Sequence, residues 1–107
     1  MALAKRYRLA KKRDFEKIKK EGRLVQTPLF SVLILGSQIN APRIGVIVSK
    51  KIDQRAVVRN QLRRRLAESL KSLLDRLPKD SWFLFLVKSK LKEAEFREIG
   101  QEIEKIL

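Results

Sequence analysis

The stretch RIGVIVSKK, residues 43–51, is apolar at nearly every position through Val48 and then turns cationic. A strand of near-continuous apolar character is one buried on both faces, so this chain must cover two sides of a sheet. The run LVQTPLFSVLILG, residues 24–36, is rich in β-branched residues and reads as a single strand, with Pro28 as an early irregularity or edge position. WFLFLVK, residues 82–88, reads as another strand. The cover has to come from three helical patterns. KKRDFEKIKKEG, residues 11–22, pairs Phe15 with Ile18 at i, i+3 spacing and stops at Gly22. Residues 53–77, ended by Pro78, place Val58, Leu62, Leu66, Ser69, Leu70, Leu73 and Leu77 on one face. KEAEFREIGQEIEKIL, residues 92–107, turns Phe96, Ile99, Ile103 and Ile106 inward. Residues 1–10 read as extended, anchored by Tyr7 and Leu9, and residues 37–42 as a loop. At 107 residues without repeats or linkers, the expectation is one compact α+β domain spanning 1–107.

Charge then narrows the partner. Twenty-six Lys and Arg face twelve Asp and Glu, a formal net charge of +14. Such a chain repels its own copies and gains most from a polyanion, which usually means nucleic acid. Residues 1–21 hold nine basic and three acidic side chains, and residues 49–65 hold seven and one. Residues 93–107 instead carry five Glu against Arg97 and Lys105. The partner is therefore expected on the N-terminal segment and the central helix, with the last helix left to solvent. No apolar run approaches the roughly 18–20 residues that span a bilayer. No secretory core or lipidation motif is present either, so the expectation is a cytoplasmic protein without a membrane partner.

Cysteine and histidine are both missing. That removes disulfides, thiolate nucleophiles, Cys/His zinc sites and the commonest general base. Asp14, Asp53, Asp75 and Asp80 stand singly and read as caps and surface charges. No catalytic or metal-ligating residue is expected in the protein itself.

The central helix carries the sharpest signal. Residues 55–66, RAVVRNQLRRRL, hold five arginines. On a helical wheel the leucines share one arc, while Asn60, Arg63, Arg64 and Ala67 share another. Arg59 stands at the boundary, with Gln61 and Arg65 across the back. Arginines on the free face of a leucine-pinned helix form a rigid positive ridge, suited to bidentate phosphate contact and to base stacking. Asn60 adds a donor and an acceptor for a 2′-hydroxyl or a base edge. A face built only for solubility would mix signs, yet of Arg59, Arg63 and Arg64 only Arg64 has an acid one turn away, Glu68.

RIGVIVSKKIDQRAVVRNQLRRRLAE resembles the signature of the protein subunit of bacterial ribonuclease P, whose motif has the form A-V-x-R-N-R-x-K-R-x-x-R-E after a strand ending in S-K-K. RLAKKRDFEKIKKEGR near the N-terminus and WFLFLVK before a final helix extend the likeness over nearly the whole chain. The resemblance implies an α-β-β-β-α-β-α single-domain sandwich with a left-handed βαβ crossover, contrary to the usual hand. It also implies a ribonucleoprotein partner: a catalytic RNA that, with Mg²⁺ held mainly by the RNA, removes the 5′ leader of precursor tRNA. The protein would bind the leader and the RNA, supply no nucleophile and take no small-molecule substrate.

Carried over by motif, Lys50, Lys51, Arg55, Arg59, Asn60, Arg63, Arg64 and Arg65 would form the RNA-facing surface. Lys11, Lys12, Phe15, Lys19 and Leu33 would line the leader cleft between the first helix and the sheet. Gln61 and Ala67 depart from the motif, standing where basic residues are usual. Lys19 and Leu33 occupy positions that some relatives fill with aromatics. Two other readings share the composition: a structural, ribosomal-protein-like RNA binder without a processing role, and a free-standing nuclease.

Overall fold

The computed structural model describes residues 8–9, 11–36, 43–78 and 80–106. Tyr7 and the expected loop at 37–42 lie outside the described residues. Three helices, α1 (Lys12–Glu21), α2 (Ala56–Lys71) and α3 (Phe96–Glu104), accompany four strands. The strands are β1 (Arg23–Gln26), β2 (Phe30–Gly36), β3 (Arg43–Ile47) and β4 (Ser81–Val87). Two 3₁₀ segments, Leu74–Arg76 and Ser89–Glu93, flank β4 in the chain. The order is the expected α-β-β-β-α-β-α.

Spatially the strands run β1-β2-β4-β3. β2 pairs antiparallel with both β1 and β4, whereas β3 lies parallel to β4. Parallel neighbours cannot be joined by a tight hairpin, and α2 makes the crossover. β3 is thereby left at the margin of the sheet. The segment Arg8–Leu9 runs beside it, parallel, with the Leu9 amide donating to the Ile44 carbonyl at 2.8 Å.

Alternation along β4 sorts the core into two layers. Phe83, Phe85 and Val87 join Phe30, Val32 and Ile44 beneath α2 and α3, which contribute Leu62, Leu66, Leu70, Ile99 and Ile103. Trp82 and Leu84 face the other way, against Ile18 of α1 and Leu9. The near-continuous apolar strands are thus covered on both sides, as their composition requires. The α1 side is the thinner of the two, since Phe15, Leu33, Leu35, Ile47 and Leu86 there are only partly buried.

Three sequence expectations need correction. The single strand over 24–36 is a hairpin, broken at Thr27, Pro28 and Leu29. The buried Thr27 hydroxyl donates to the Phe30 carbonyl (2.8 Å) and accepts from the amides of Leu29 and Phe30, so one side chain satisfies a turn inside an apolar run. The central helix begins at Ala56 and ends at Lys71, short of Pro78, because residues 74–76 tighten into a 3₁₀ turn. Phe96 is 54% exposed rather than inward. The last α-helix starts at Phe96, closed by a reciprocal Glu95/Glu98 capping box. The preceding 3₁₀ segment places Leu91 in the core.

Gly22 ends α1 for a steric reason. A Cβ at this position would lie 2.4 Å from the Ile18 carbonyl oxygen, to which the Gly22 amide donates at 2.8 Å. Only glycine permits that approach.

Candidate nucleic-acid interface

Leu62, Leu66, Ser69 and Leu70 are buried along one side of α2, fixing the helix against the sheet. That pinning determines where the polar residues of the helix go. Asn60, Arg63, Arg64 and Ala67 turn together towards the β3 margin, as the wheel predicts, and form one wall of a groove of about 620 Å³. Ile44, Gly45 and Val46 of β3 supply its floor, and Phe15 of α1 with Arg8 and Leu9 supplies the opposite side. The groove is thus apolar below and cationic along its rim. It joins two chain segments that the sequence separates by some forty residues.

Gly45 makes the narrow part of the groove possible. A Cβ there would come within 3.1 Å of Phe15 Cε1 and 3.0 Å of Leu84 Cδ1. With only hydrogen at Gly45, the Phe15 ring lies down on the strand, half buried in the α1-side layer and half presented to the groove. The ring is therefore both packed and accessible.

The arginines fall into two groups. Arg63 donates to the Asn60 Oδ1, so the wall organises itself without an acid. Among the described residues, no ion pair reaches Arg63 or Arg64, and Glu68 does not neutralise Arg64. The others are engaged inside the protein. Arg59 Nη1 donates to the carbonyls of Gln54 (2.7 Å) and Asp53 (3.1 Å). Arg65 Nη1 donates to the carbonyls of Leu91 (3.1 Å) and Lys92 (3.3 Å), tying α2 to the 3₁₀ segment after β4. Arg55 forms a two-pronged pair with Asp53, at 3.1 Å through Nε and 3.0 Å through Nη2.

Lys50 and Lys51 are exposed in the turn between β3 and α2. Lys11, Lys12 and Lys19 are exposed on α1 or at its start, and Leu33 is half buried on the α1 side of β2. The residues expected at the leader cleft therefore share the α1 side, while those expected at the RNA surface divide between groove, turn and internal anchors.

Sequence reasoning missed Arg8, Gly45, Asp53 and Lys92. Asp53 reads in sequence as a lone surface acid, yet its side chain is only 8% exposed and is bonded by Arg55 and by Lys92 at 3.2 Å. The hydrogen bonds from the Arg55 side chain and amide hold its carboxyl far below the usual carboxylate range. The available signal was its position as the sole acid among the seven cations of residues 49–65.

This geometry can be set beside known proteins. A family model described as Ribonuclease P matches residues 3–107. The chain belongs to the ribonuclease P protein family. The ribonuclease P protein component of Macrococcus caseolyticus is 33% identical over 106 residues, covering 98% of this chain and 90% of that protein. The solved ribonuclease P protein of Thermotoga maritima superposes with a TM-score of 0.83 at 29% identity, over 94% of both chains. That of Staphylococcus aureus gives 0.81 at 28% identity, over 94% of this chain and 91% of the other. The fold and the order of its elements are those of ribonuclease P proteins.

Among the described residues, no three His, Cys, Asp or Glu side chains cluster so as to hold a metal ion, and no helix is long and apolar enough to cross a membrane.

Proposed function

We propose that this protein is the RNA-binding subunit of a ribonuclease P ribonucleoprotein and assists a catalytic RNA in removing the 5′ leader of precursor tRNA. The observation that carries the reading is the groove: a rigid wall bearing Asn60, Arg63 and Arg64 facing the half-open Phe15 ring across the β3 margin. Guanidinium groups on a pinned helix meet phosphates without first losing much side-chain freedom. Phe15 offers a stacking face to an unpaired base, the form in which single-stranded RNA is usually recognised. Lys50 and Lys51 in the turn before α2, and Lys11, Lys12 and Lys19 on α1 or at its start, add long-range attraction to the strand. Leu33 adds half-buried apolar surface on the α1 side of β2.

In this reading the protein is a binding and orienting partner. Mg²⁺ belongs with the RNA and supplies the hydrolytic chemistry there. The protein raises the local concentration of leader beside the catalytic RNA and lowers charge repulsion between two polyanions.

Reconstitution tests this. The protein is added to a bacterial ribonuclease P RNA at low Mg²⁺, and cleavage of precursor tRNA is measured. A marked rise in cleavage at the mature 5′ end is expected, with none from rigorously RNA-free protein. Binding without any rise in cleavage would leave a structural RNA binder, and cleavage by the protein alone would make it a nuclease.

A further inference from the structure

At the start of α2 the formal charge and the available charge differ. Arg55 is exposed there, with 76% of its side chain in solvent. Counted from sequence, it is a leading phosphate ligand. Yet two of its guanidinium N–H groups already serve the Asp53 carboxylate, and its own amide donates to the same carboxylate at 2.9 Å. Lys92, brought in from beyond β4, places its ammonium 3.2 Å from Oδ2, the carboxylate oxygen that Arg55 Nη2 also holds. Arg59 is turned to the carbonyls of residues 53 and 54. Three groups from two distant stretches of chain, the Arg55 amide, the Arg55 guanidinium and the Lys92 ammonium, thus close around one acid whose side chain is only 8% exposed.

A phosphate approaching this elbow must compete with a carboxylate that has the same charge and a better-fixed geometry. Bidentate guanidinium–carboxylate pairs are among the stronger charge-assisted contacts. Five to twelve residues further along the same helix, Asn60, Arg63, Arg64 and Ala67 meet no such competitor. The helix therefore offers polyanions one quiet end and one open wall.

We propose that Asp53 is a specificity-determining residue: it withholds Arg55 and Lys92 from RNA phosphates, so that RNA engages the protein through the groove wall rather than through the exposed start of α2. The inference rests on the RNA-binding reading above and sharpens it. Unspecific cations bind any strand, since phosphate contacts carry no sequence information. Silencing two of them at the start of α2 lowers binding to arbitrary RNA. The groove, with its ring and its Asn60, then dominates discrimination.

The test uses the full chain and two RNAs: a single-stranded oligouridylate, and precursor tRNA with a bacterial ribonuclease P RNA. Asp53→Asn is expected to bind oligouridylate several-fold more tightly, with a steeper salt dependence by up to two contacts' worth, about 1.4 in log–log slope. Its preference for the cognate complex over oligouridylate should shrink. Loss of one negative charge alone would raise affinity no more than Glu68→Gln does, so the gain of Asp53→Asn is read against that variant. Arg55→Ala alone should lose less affinity than Arg64→Ala, whereas in the Asp53→Asn background Arg55→Ala together with Lys92→Ala should abolish the gain. Equal or weaker oligouridylate binding by folded Asp53→Asn would overturn the proposal. So would an Arg55→Ala loss as large as that of Arg64→Ala, a measurement that stands even if Asp53→Asn fails to fold. If Arg64→Ala changes binding of neither RNA, the RNA-binding reading itself fails; if it weakens both while Asp53→Asn tightens neither, only the role of Asp53 does.

Discussion

The two faces of the sheet use similar residues to opposite ends. Under α2 and α3, Phe30, Phe83 and Phe85 are essentially sealed, with Phe30 and Phe85 meeting edge-to-face at 5.1 Å. Across the same strands, α1 covers its side incompletely, leaving Phe15, Leu33 and Ile47 half buried and Leu24 at 51% exposure. One helix of ten residues cannot shade four strands, whereas two helices nearly do. Burial on the sealed side supplies stability. The open side keeps apolar surface and one aromatic ring available at its border with the arginine wall.

Breaking the sealed side should have the largest effect. Truncating a buried phenylalanine typically costs about 3–5 kcal/mol, against a total stability of about 5–15 kcal/mol for a domain of this kind. Phe85→Ala should therefore unfold the protein at moderately raised temperature, as followed by circular dichroism, and reduce RNA binding only in proportion to the folded fraction. Phe15→Ala is the contrasting case. Losing one stacked base costs about 1–3 kcal/mol, so precursor-tRNA affinity should fall roughly tenfold, with mature tRNA little affected. Because the ring also rests on Gly45 and Leu84, some loss of melting temperature is expected, smaller than for Phe85→Ala. An equal loss in both variants would erase the distinction between the faces.

The next prediction separates the two sides of α2. Arg64→Ala should weaken RNA binding and lower the salt slope by about one unit, leaving the melting temperature in place. Arg65→Ala should do the reverse, since its guanidinium serves the carbonyls of Leu91 and Lys92. The smallest effect concerns acid. The folded carboxyl of Asp53 titrates well below its ordinary value of 3.8, chiefly through the Arg55 side-chain hydrogen bond. Its contribution to stability is complete above that ordinary value and lost as pH falls through the folded one. The wild-type protein should therefore lose stability below about pH 4 more steeply than Asp53→Asn in parallel melts. Matching acid profiles would show that the Arg55 and Lys92 contacts add nothing to folding.

Much of this was legible from local pattern. The leucine spacing of 58–77 gave the buried side of α2 and, by subtraction, the common face of Asn60, Arg63, Arg64 and Ala67. Unbroken apolar runs at 43–48 and 82–87 required cover on both faces. The i, i+3 spacing of Phe15 and Ile18 put both on one side of α1, and both pack against the sheet. These features survive because periodicity and hydrophobicity act over a few residues and burial rewards them directly. The motif around residues 43–68 added the family, hence the order of elements.

What local pattern did not contain was pairing across distance. Thr27 breaks a run that reads as one strand because its hydroxyl finds the Phe30 carbonyl once β1 folds back on β2. Phe96 lies outside because Leu91, five residues earlier, reaches the core first. Arg59, Arg63, Arg64 and Arg65 are chemically identical in sequence. Only the carbonyls of residues 53, 54, 91 and 92, assembled by the crossover from β3 to β4, decide which of them are anchors and which face the groove. The sequence by itself determined that this protein would be a basic α+β domain with an arginine-bearing helix. The tertiary structure decided which charges remain available, because a charge is free or satisfied according to what the rest of the chain brings within about 3 Å of it.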